Sequence, residues 1–491
     1  MKHKILAIYD VRGIQDYIYR SSKLKDAKGA SKIVEDIFNK SFGSVGINVN
    51  DWYNDNGPVD FKENDEYCQI LYVGGGNAYA IFLNEDKYKE TNKKISKYII
   101  ENTYSLQLVS AWVFITGEYQ KDFELLRKNL AEEKDKANGT SIIGALPIMK
   151  IEVNTGLPIL EKEGISKETK LKQDAAKELV KEETDTIQEL DKLVFEKGVD
   201  STLAVIHIDG NNMAKRIKEI INKETDYISA INTMRKVSFN INTRYKDVFN
   251  RLKDNSKASI LKVVIAGDDV TYICTGKYAL QSVEFFTKEI NEYGMLDGKD
   301  EYKFSVCAGI AYFHSHFPFY VAYDVAEKCC ESAKERAKSN IDKNGSIPNY
   351  VDFHICKNAL QAEDFEGMRL REYVTPSNEK LLLRPYHIYR NKELVDTNDI
   401  FSYDSFKRTI EHFLNADTIA RSKSKNLRNI YPLGASKTED YCLFLKSRNI
   451  ELFGDDKIEK PFVEVDGKLY AKWYDALEML DLYDNKLDEE E

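Results

Sequence analysis

The chain has 491 residues, 42% hydrophobic and 31% charged, enough for about two to four domains with real cores. Its net charge of −10 excludes a broad nonspecific nucleic-acid surface and leaves room only for a local basic cleft. No apolar run reaches the roughly 18 residues of a membrane span, "MKHKILAIYDV" is too short for a signal peptide, and seven cysteines without a CxxC pair give neither a disulfide framework nor a zinc ribbon, so a cytoplasmic protein is expected.

In chain order, "KILAIYDV" reads as a strand, followed by a helix containing "GASKIVEDIF". "CQILYVGGGNAYAIFL" reads as a hairpin with glycines at its turn, then come a helix and the strand "LVSAWVFIT". Leu171, Ala175, Leu179, Ile187, Leu190 and Val194 fall at helical spacing in a charged stretch, so residues 151–198 form a helical connector. "TLAVIHIDGNNMAKRI" opens a second strand-to-helix unit. A long amphipathic helix with Ile228, Ile231, Met234, Ile241, Tyr245, Val248 and Leu252 near one face follows it. "VVIAGDDVTYIC" reads as a second hairpin, "FSVCAGIAYF" as a strand, and "FPFYVAYDVAEKCCESAKERAK" as a helix with Pro318 near its first turn. Cys329 and Cys330 on that helix are packing residues. Beyond residue 357 the pattern turns mainly helical and ends in the solvated acidic tail "LDEEE".

The two halves form a divergent internal repeat. "ILAIYDVRGIQDYI" matches "LAVIHIDGNNMAKRI" in pattern, and "LYVGGGNAYAIF" lies over "VVIAGDDVTYIC" without a gap. Gly76 then stands at Asp268 and Asn77 at Asp269, so the first half keeps the hairpin without its acids. A repeat of this length is a duplicated domain.

Two adjacent carboxylates on a tight turn repel each other, and alone they read as a solvated turn. Asp209 changes that reading, because it ends the buried run "LAVIHI". In a βαββ arrangement the first strand lies beside the hairpin, and Asp209 converges with Asp268. Converging carboxylates suit a hard cation such as Mg2+. Two such ions activate a hydroxyl and stabilise a leaving pyrophosphate. Gly210 lets a phosphate approach the backbone, and a helix starting near Asn211 offers it free N–H groups. Lys334 and Lys338, four residues apart on one helix face, read from position alone either as a solvated face or as a pair that holds a triphosphate.

"DGNNMAK" (209–215), "AGDD" (266–269) and "AYDVAEKCCESAKERAK" closely resemble the cyclase-type palm in the large subunit of type III CRISPR effector complexes. "DVRGIQDYIYRSSKLKDAKGAS" with "GGGNAYAIF" is similar to that subunit's first palm, and "IARSKSKNLRNI" more weakly to its helical tail. GGDEF diguanylate cyclases and class III nucleotidyl cyclases are more distant relatives. The resemblance implies an α+β chain with two facing ferredoxin-like palms (βαββαβ). The first is expected at residues 1–150 with its acids lost, and the second, with the active site, at 199–356. The connector at 151–198 joins them, and a helical C-terminal domain fills 357–491. It also implies an enzyme, a nucleotidyltransferase that joins ATP through 3′-5′ linkages into cyclic oligonucleotide messengers of antiviral defence. Two Mg2+ or Mn2+ ions are its expected cofactors.

Carried over by position, Asp209, Asp268 and Asp269 are the catalytic and metal-binding acids. Gly210, Asn211, Asn212, Gly267, Lys334 and Lys338 bind nucleotide in the second palm, and Gly75, Gly76 and Asn77 in the first. The partners expected are nucleoside triphosphates, ATP foremost, then RNA, other effector subunits or a second copy of the chain, and no membrane. Asn211 replaces an Asp of the family pattern and Ala266 a Gly. With no His-Asp dipeptide, the nuclease domain is expected to be absent, and "PIMKIEVNTGLP" lacks the zinc-binding cysteines of relatives, which together point to a stand-alone relative. The alternatives are a subunit of a type III effector complex and a non-catalytic nucleotide-binding scaffold. A template-directed polymerase is disfavoured, because Met213 and Ala214 stand where its second acid belongs. His314 and His316 read as a strand-end loop, His207 as sheet-facing, and "RSSKLK" and "RSKSKNLR" as solvated surface.

Overall fold

The apolar run after Lys4 forms β1 (Ile5–Arg12). Its alternating side chains divide between two cores, with Ile5, Ala7 and Tyr9 on one face and Leu6 and Ile8 on the other. The structure, a computed structural model, describes residues 4–21, 23–137, 145–182, 193, 201–256, 259–298, 302–341, 345–357, 364–390, 399–415, 419–450, 452 and 460–484.

After β1 come α1 (Ile14–Tyr19), α2 (Leu24–Gly43), the short strands β2 (Tyr53–Asn54) and β3 (Gly57–Pro58), and the hairpin β4 (Cys68–Gly74) and β5 (Asn77–Phe82). Helix α3 (Glu85–Thr103), β6 (Gln107–Phe114) and α4 (Tyr119–Ala137) complete the first palm. The strand order β4-β5-β1-β6, with β1 antiparallel to both neighbours, is the ferredoxin-like sheet that the repeat requires.

Helix α5 (Lys167–Glu182) leads to the second palm. It contains β7 (Thr202–Gly210), α6 (Met213–Ile221), α7 (Tyr227–Asn255), β8 (Ile260–Ala266), β9 (Asp269–Thr275), α8 (Ala279–Ile290), β10 (Val306–His314), α9 (Phe319–Ser339) and β11 (Asn349–Ile355). Strand β7 is covered on both faces. Leu203 and Val205 pack into the core under α9, while Ala204, Ile206 and Ile208 pack under α7 and α8, so it reads as a continuous apolar run. Asp226 starts α7 by accepting the N–H groups of Ile228 and Ser229, both at 3.0 Å. Of the apolar face expected on α7, Ile231, Met234, Ile241, Tyr245, Val248 and Leu252 are buried, but Ile228, in the first turn, is exposed. Cys329 and Cys330 are free and buried, as packing residues should be.

Helix α10 (Phe365–Glu372), β12 (Tyr386–Ile388), α11 (Tyr403–Leu414), α12 (Arg421–Ile430), α13 (Ala435–Ser447), β13 (Phe462–Val465), β14 (Lys468–Ala471) and α14 (Tyr474–Glu478) follow. The second sheet has the order β12-β11-β10-β7-β9-β8: a ferredoxin-like core extended by β11 and by β12, which comes from beyond residue 356. A buried charge network ties this region to the palm. Arg384 contacts Glu478 at 2.9 Å and Asp475 at 3.3 Å, and Arg369 grips Asp352 at 2.7 and 2.9 Å.

The palms clasp each other about a pseudo-two-fold axis, α2 against β8 and α7 against β4. Arg235 of α7, itself buried, donates to the carbonyls of Leu71 (3.0 Å), Val59 (2.7 Å) and Ile70 (2.9 Å), closing the edge of β4.

The connector corrects one expectation. Leu171, Ala175 and Leu179 of α5 are only half-buried, whereas Lys172 and Glu168 are fully buried as an ion pair at 2.5 Å. Lys172 also reaches the Tyr17 carbonyl, and Glu168 also takes Arg20 at 3.3 Å. A Cβ on Gly29 would lie 1.8 Å from the Lys172 carbonyl oxygen, so α2 and α5 touch where only glycine fits. Ile187, Leu190, Val194 and the acidic tail lie outside the described residues. The basic runs are partly engaged inside the fold: Arg20 by Glu168, and Arg421 and Lys425 by Asp481 at 2.8 and 3.1 Å. Among the described residues no helix is long and apolar enough to cross a membrane.

Candidate active site at the palm junction

Both hairpins turn over two residues, Gly75-Gly76 between the paired Gly74 and Asn77, and Gly267-Asp268 between the paired Ala266 and Asp269. The structure therefore superposes Gly76 on Asp268 and Asn77 on Asp269, as the sequence overlay predicts. Gly75, Gly76 and Gly267 all have positive φ (58°, 76° and 69°), which a side chain would strain. The two tips meet: a Cβ on Gly267 would lie 3.9 Å from the Gly75 Cα.

Beside the tips lies a cavity of about 490 Å³, lined from both palms by Gly74, Gly75, Gly76, Ala266 and Gly267, with Trp52 and Phe239 among its walls. That volume is in the range of small-molecule sites.

Asp209, Asp268 and Asp269 come together around the end of β7, where β9 is its direct neighbour. A Cβ on Gly210 would lie 2.8 Å from the Asp268 Oδ2, so glycine there makes room for the turn acid against β7. Gly210→Ala is expected to press on both the Met213 Cγ (2.7 Å) and the Asp268 carboxylate (2.8 Å) and to lower the melting temperature; an unchanged melting temperature would show that the junction relaxes without cost.

Burial, and then the Asp209 charge, push Asp268 up to about 7 and Asp269 up to about 8. The Asp269 Oδ1 is buried without a hydrogen bond, 3.4 Å from His207 Nδ1, which itself contacts the Thr271 hydroxyl at 3.1 Å. Burial holds His207 below its usual pKa, against the pull of Asp209. A set of hard oxygen donors with one orphaned carboxylate oxygen fits a divalent cation. Among the described residues no three His, Cys, Asp or Glu side chains are grouped closely enough to hold an ion alone.

Lys334 of α9 reaches into this cluster and pairs with Asp209. Burial is the strongest single influence and opposes its charge, but Asp209, Cys330 and Asp268 together outweigh it and its pKa rises. Lys338, one turn on, is exposed. Asn212 sits at the N-cap of α6 with φ 51°. Asn211 turns away, its N–H donating to Ser305 O (2.9 Å) and its amide to Pro348 O (3.2 Å). Asn211 is therefore not one of the free N–H groups expected near the start of this helix, since Ser305, just before β10, takes its N–H and the loop before β11 takes its side-chain amide. Asn77 donates to the Gly75 carbonyl at 3.2 Å. His314 and His316 sit together at the exposed end of β10, rings 5.3 Å apart, as a strand-end loop.

Two features escaped the sequence. In the first palm Asp10 of β1 pairs with Lys134 of α4 at 2.9 Å, the counterpart of Asp209 with Lys334. That palm lacks the turn acids but keeps the acid on its first strand. Tyr19 of the first palm stacks on Tyr323 of α9 with ring centroids 3.5 Å apart, and His207 meets Tyr323 edge-on at 5.7 Å. A first-palm residue thereby backs the second-palm acids. Neither pair shows in local periodicity, because each joins distant segments.

Residues 202–345 match the family described as Cas10/Cmr2, second palm domain. No curated protein matches the chain. Among solved structures, it is similar to a Csm1–Csm4 cassette in complex with cA4, at 14% identity over 98% of this chain and 70% of that one, with a TM-score of 0.56. A Csm1–Csm4 cassette in complex with one ATP gives 13%, 98%, 70% and 0.57, and Csm1 in T. onnurineus 14%, 98%, 69% and 0.57. Residues 202–345 thus match the Cas10/Cmr2 second-palm family, and the chain as a whole has a fold similar to that of the Csm1 structures.

Proposed function

We propose that the chain joins nucleoside triphosphates, ATP foremost, into cyclic oligonucleotides at the junction of its palms, as a signal in antiviral defence. The observation that carries this reading is the convergence of Asp209 and Asp268 at Gly210, next to a cavity bounded by both glycine turns. The similar Csm1–Csm4 cassettes are complexes with ATP, pppApA and cA4, and the reading extends such ligands to this cavity.

One nucleotide lies against each palm. Gly75, Gly76 and Asn77 border the first, and Gly210, Asn212 and Gly267 the second. The 3′-hydroxyl of one nucleotide gives its proton to water as its oxygen bonds to the α-phosphorus of the other, and the bond from that phosphorus to the oxygen of the leaving pyrophosphate breaks. Asp209 and Asp268, with Asp269 beside them, would hold Mg2+ or Mn2+, two ions, which supply hydroxyl activation and charge neutralisation. Lys334 exchanges Asp209 for the triphosphate, with Lys338 one turn beyond it.

Purified protein with ATP and Mg2+ is expected to release pyrophosphate and yield cyclic or linear oligoadenylate. Failure with all four triphosphates, with RNA and partner subunits present, contradicts the reading. Lys334→Ala is expected to raise the KM for ATP by roughly 10- to 150-fold, the equivalent of a charge-assisted contact of about 1.5–3 kcal/mol. The matched control is Lys97, whose side chain is 73% exposed on α3. Lys172, a solvated connector lysine by its sequence, cannot serve, because it is buried.

A subunit within a type III effector complex is the second reading. It is favoured by an exposed apolar stretch at residues 146–153, where Ile148 is 91% and Val153 94% exposed. Co-purification with partner subunits, lost on Ile148→Ser with Val153→Ser, is the expected result; a chain that stays alone contradicts it.

A further inference from the structure

The face of the second sheet under α9 changes character along its length. Val205 of β7 and Ile273 of β9 pair there as apolar core residues. Residues two apart in a strand share a face, so the next pair on it is His207 with Thr271, and Asp209 and Asp269 follow at the strand ends. His207 and Thr271 are both buried, and form a polar layer between the apolar core and the acids. A buried hydroxyl and a buried imidazole are costly unless they find partners. Helix α9 closes over this layer. A Cβ on Gly309, the β10 neighbour of His207, would lie 1.9 Å from the Ala326 carbonyl oxygen, so the helix rests directly on the strand.

The contacts of the layer meet at the Thr271 hydroxyl. It lies 3.1 Å from His207 Nδ1 and also hydrogen-bonds with the Tyr19 hydroxyl and the Asp269 carboxyl. A threonine hydroxyl has one proton to give and two lone pairs to accept with. With its proton on the Asp269 carboxylate, its oxygen accepts from Tyr19. The Asp269 Oδ1 makes no hydrogen bond, which leaves that carboxyl few restraints besides Thr271 and the nearby His207. Every member of this set belongs to the second palm except Tyr19, the buried last residue of α1, which is held by its stack on Tyr323.

We propose that Tyr19 is a positioning residue: through the Thr271 hydroxyl it fixes the orientation of the Asp269 carboxylate, so that the acid of the second palm is set only when the first palm is docked against it. The proposal rests on reading the acids as the cation site, and adds how one palm governs the other.

The test is a double-mutant cycle on the full chain, Tyr19→Phe against Thr271→Val. Tyr19→Phe keeps the ring on Tyr323, and Thr271→Val keeps the side-chain shape. Two readouts are taken: kinetics with ATP and Mg2+, and Mn2+ affinity by electron paramagnetic resonance with a non-hydrolysable ATP analogue. Each single variant is expected to lower kcat by about 10- to 100-fold, the cost of a misplaced group, and to weaken Mn2+ binding about tenfold or more. The KM for ATP is expected to stay within about twofold, because neither hydroxyl binds nucleotide in this reading. A merely structural loss of docking would raise KM as well, since both palms build the cavity. The double variant is expected to lose no more than the worse single one, because both cut the same link. Thr271→Ser, which returns the hydroxyl, is expected to restore both readouts. Tyr67→Phe, which removes a first-palm hydroxyl bonded to the Val45 carbonyl at 3.1 Å, is expected to change neither. Unchanged kcat and Mn2+ affinity in Tyr19→Phe overturn the proposal, and so do additive losses in the double variant. Hydroxyl-dependent Mn2+ binding in a wild-type chain that makes no product would keep the positioning role and reject the proposed reaction, so the two failures are distinguishable.

Discussion

Asp268→Asn and Asp209→Asn are each expected to lower nucleotidyl transfer by about 10²- to 10⁴-fold, the equivalent of about 3–5 kcal/mol of transition-state stabilisation from cation binding. Neither is expected to unfold the chain. Asp268 lies at a turn, and its carboxyl is raised by burial and by Asp209, so the native state holds it at a cost. An amide of the same shape removes that repulsion, and the melting temperature of Asp268→Asn should be equal to or above that of the wild type. A loss of activity together with a gain in stability is the signature of a residue kept for chemistry. A surface aspartate would change neither, and a structural one would lower both. Transfer assays and thermal melts of the same preparations separate the three cases.

Lys172→Ala is expected to destabilise the first palm by about 1–3 kcal/mol, because it leaves the buried Glu168 carboxylate with only Arg20 and Ser105 as partners and the Tyr17 carbonyl without its donor. Lys172 and Glu168 have no exposed side-chain surface, and the lysine also supports the Tyr17 carbonyl in α1. Burial pulls the Lys172 pKa down although Glu168 pulls it up, so desolvation governs the site. The pair Lys172→Met with Glu168→Leu should recover most of the loss, since apolar replacement of both partners is often neutral or better. Denaturation followed by tryptophan fluorescence checks both variants. A single variant as stable as the wild type would mean that the pair contributes little. Because α1 also carries Tyr19 to Tyr323, the destabilised variant should lose transfer activity along with stability.

The architecture was largely legible in the sequence, and the reason is physical. Strands such as "LAVIHI" and "VVIAGDD" are short, β-branched and bounded by glycine, so their type and their turn follow from local chemistry. The duplicated pattern then constrains the sheet order, because a strand, a hairpin and a further strand joined by helices close into one topology. What periodicity missed is what long-range packing decides. Strand β12 is three residues, "YHI", made a strand only by pairing with β11. The spacing of Leu171, Ala175 and Leu179 identifies a helix, but not that Glu168 and Lys172 are its most buried members. Arg235, which closes an edge of the other palm, looks like any arginine on an amphipathic helix.

The site divides in the same way. Asp209, Asp268 and Gly210 could be brought together on paper, because a strand end and a hairpin tip are neighbours in this topology. Lys334 was placed beside them by the resemblance, and its contact with Asp209 follows from α9 crossing β7. The pair of Asp10 with Lys134 and the stack of Tyr19 on Tyr323 join segments far apart in the chain, and only the fold makes them adjacent.

The proposed reaction depends most directly on where a divalent cation binds. Crystals of the chain grown with Mn2+ and a non-hydrolysable ATP analogue, measured at the manganese edge, answer this. The expected result is anomalous density between the carboxylates of Asp209 and Asp268, with the Lys334 ammonium moved from Asp209 onto the phosphates. Manganese bound elsewhere, or Lys334 still on Asp209 with nucleotide present, would contradict the central claim.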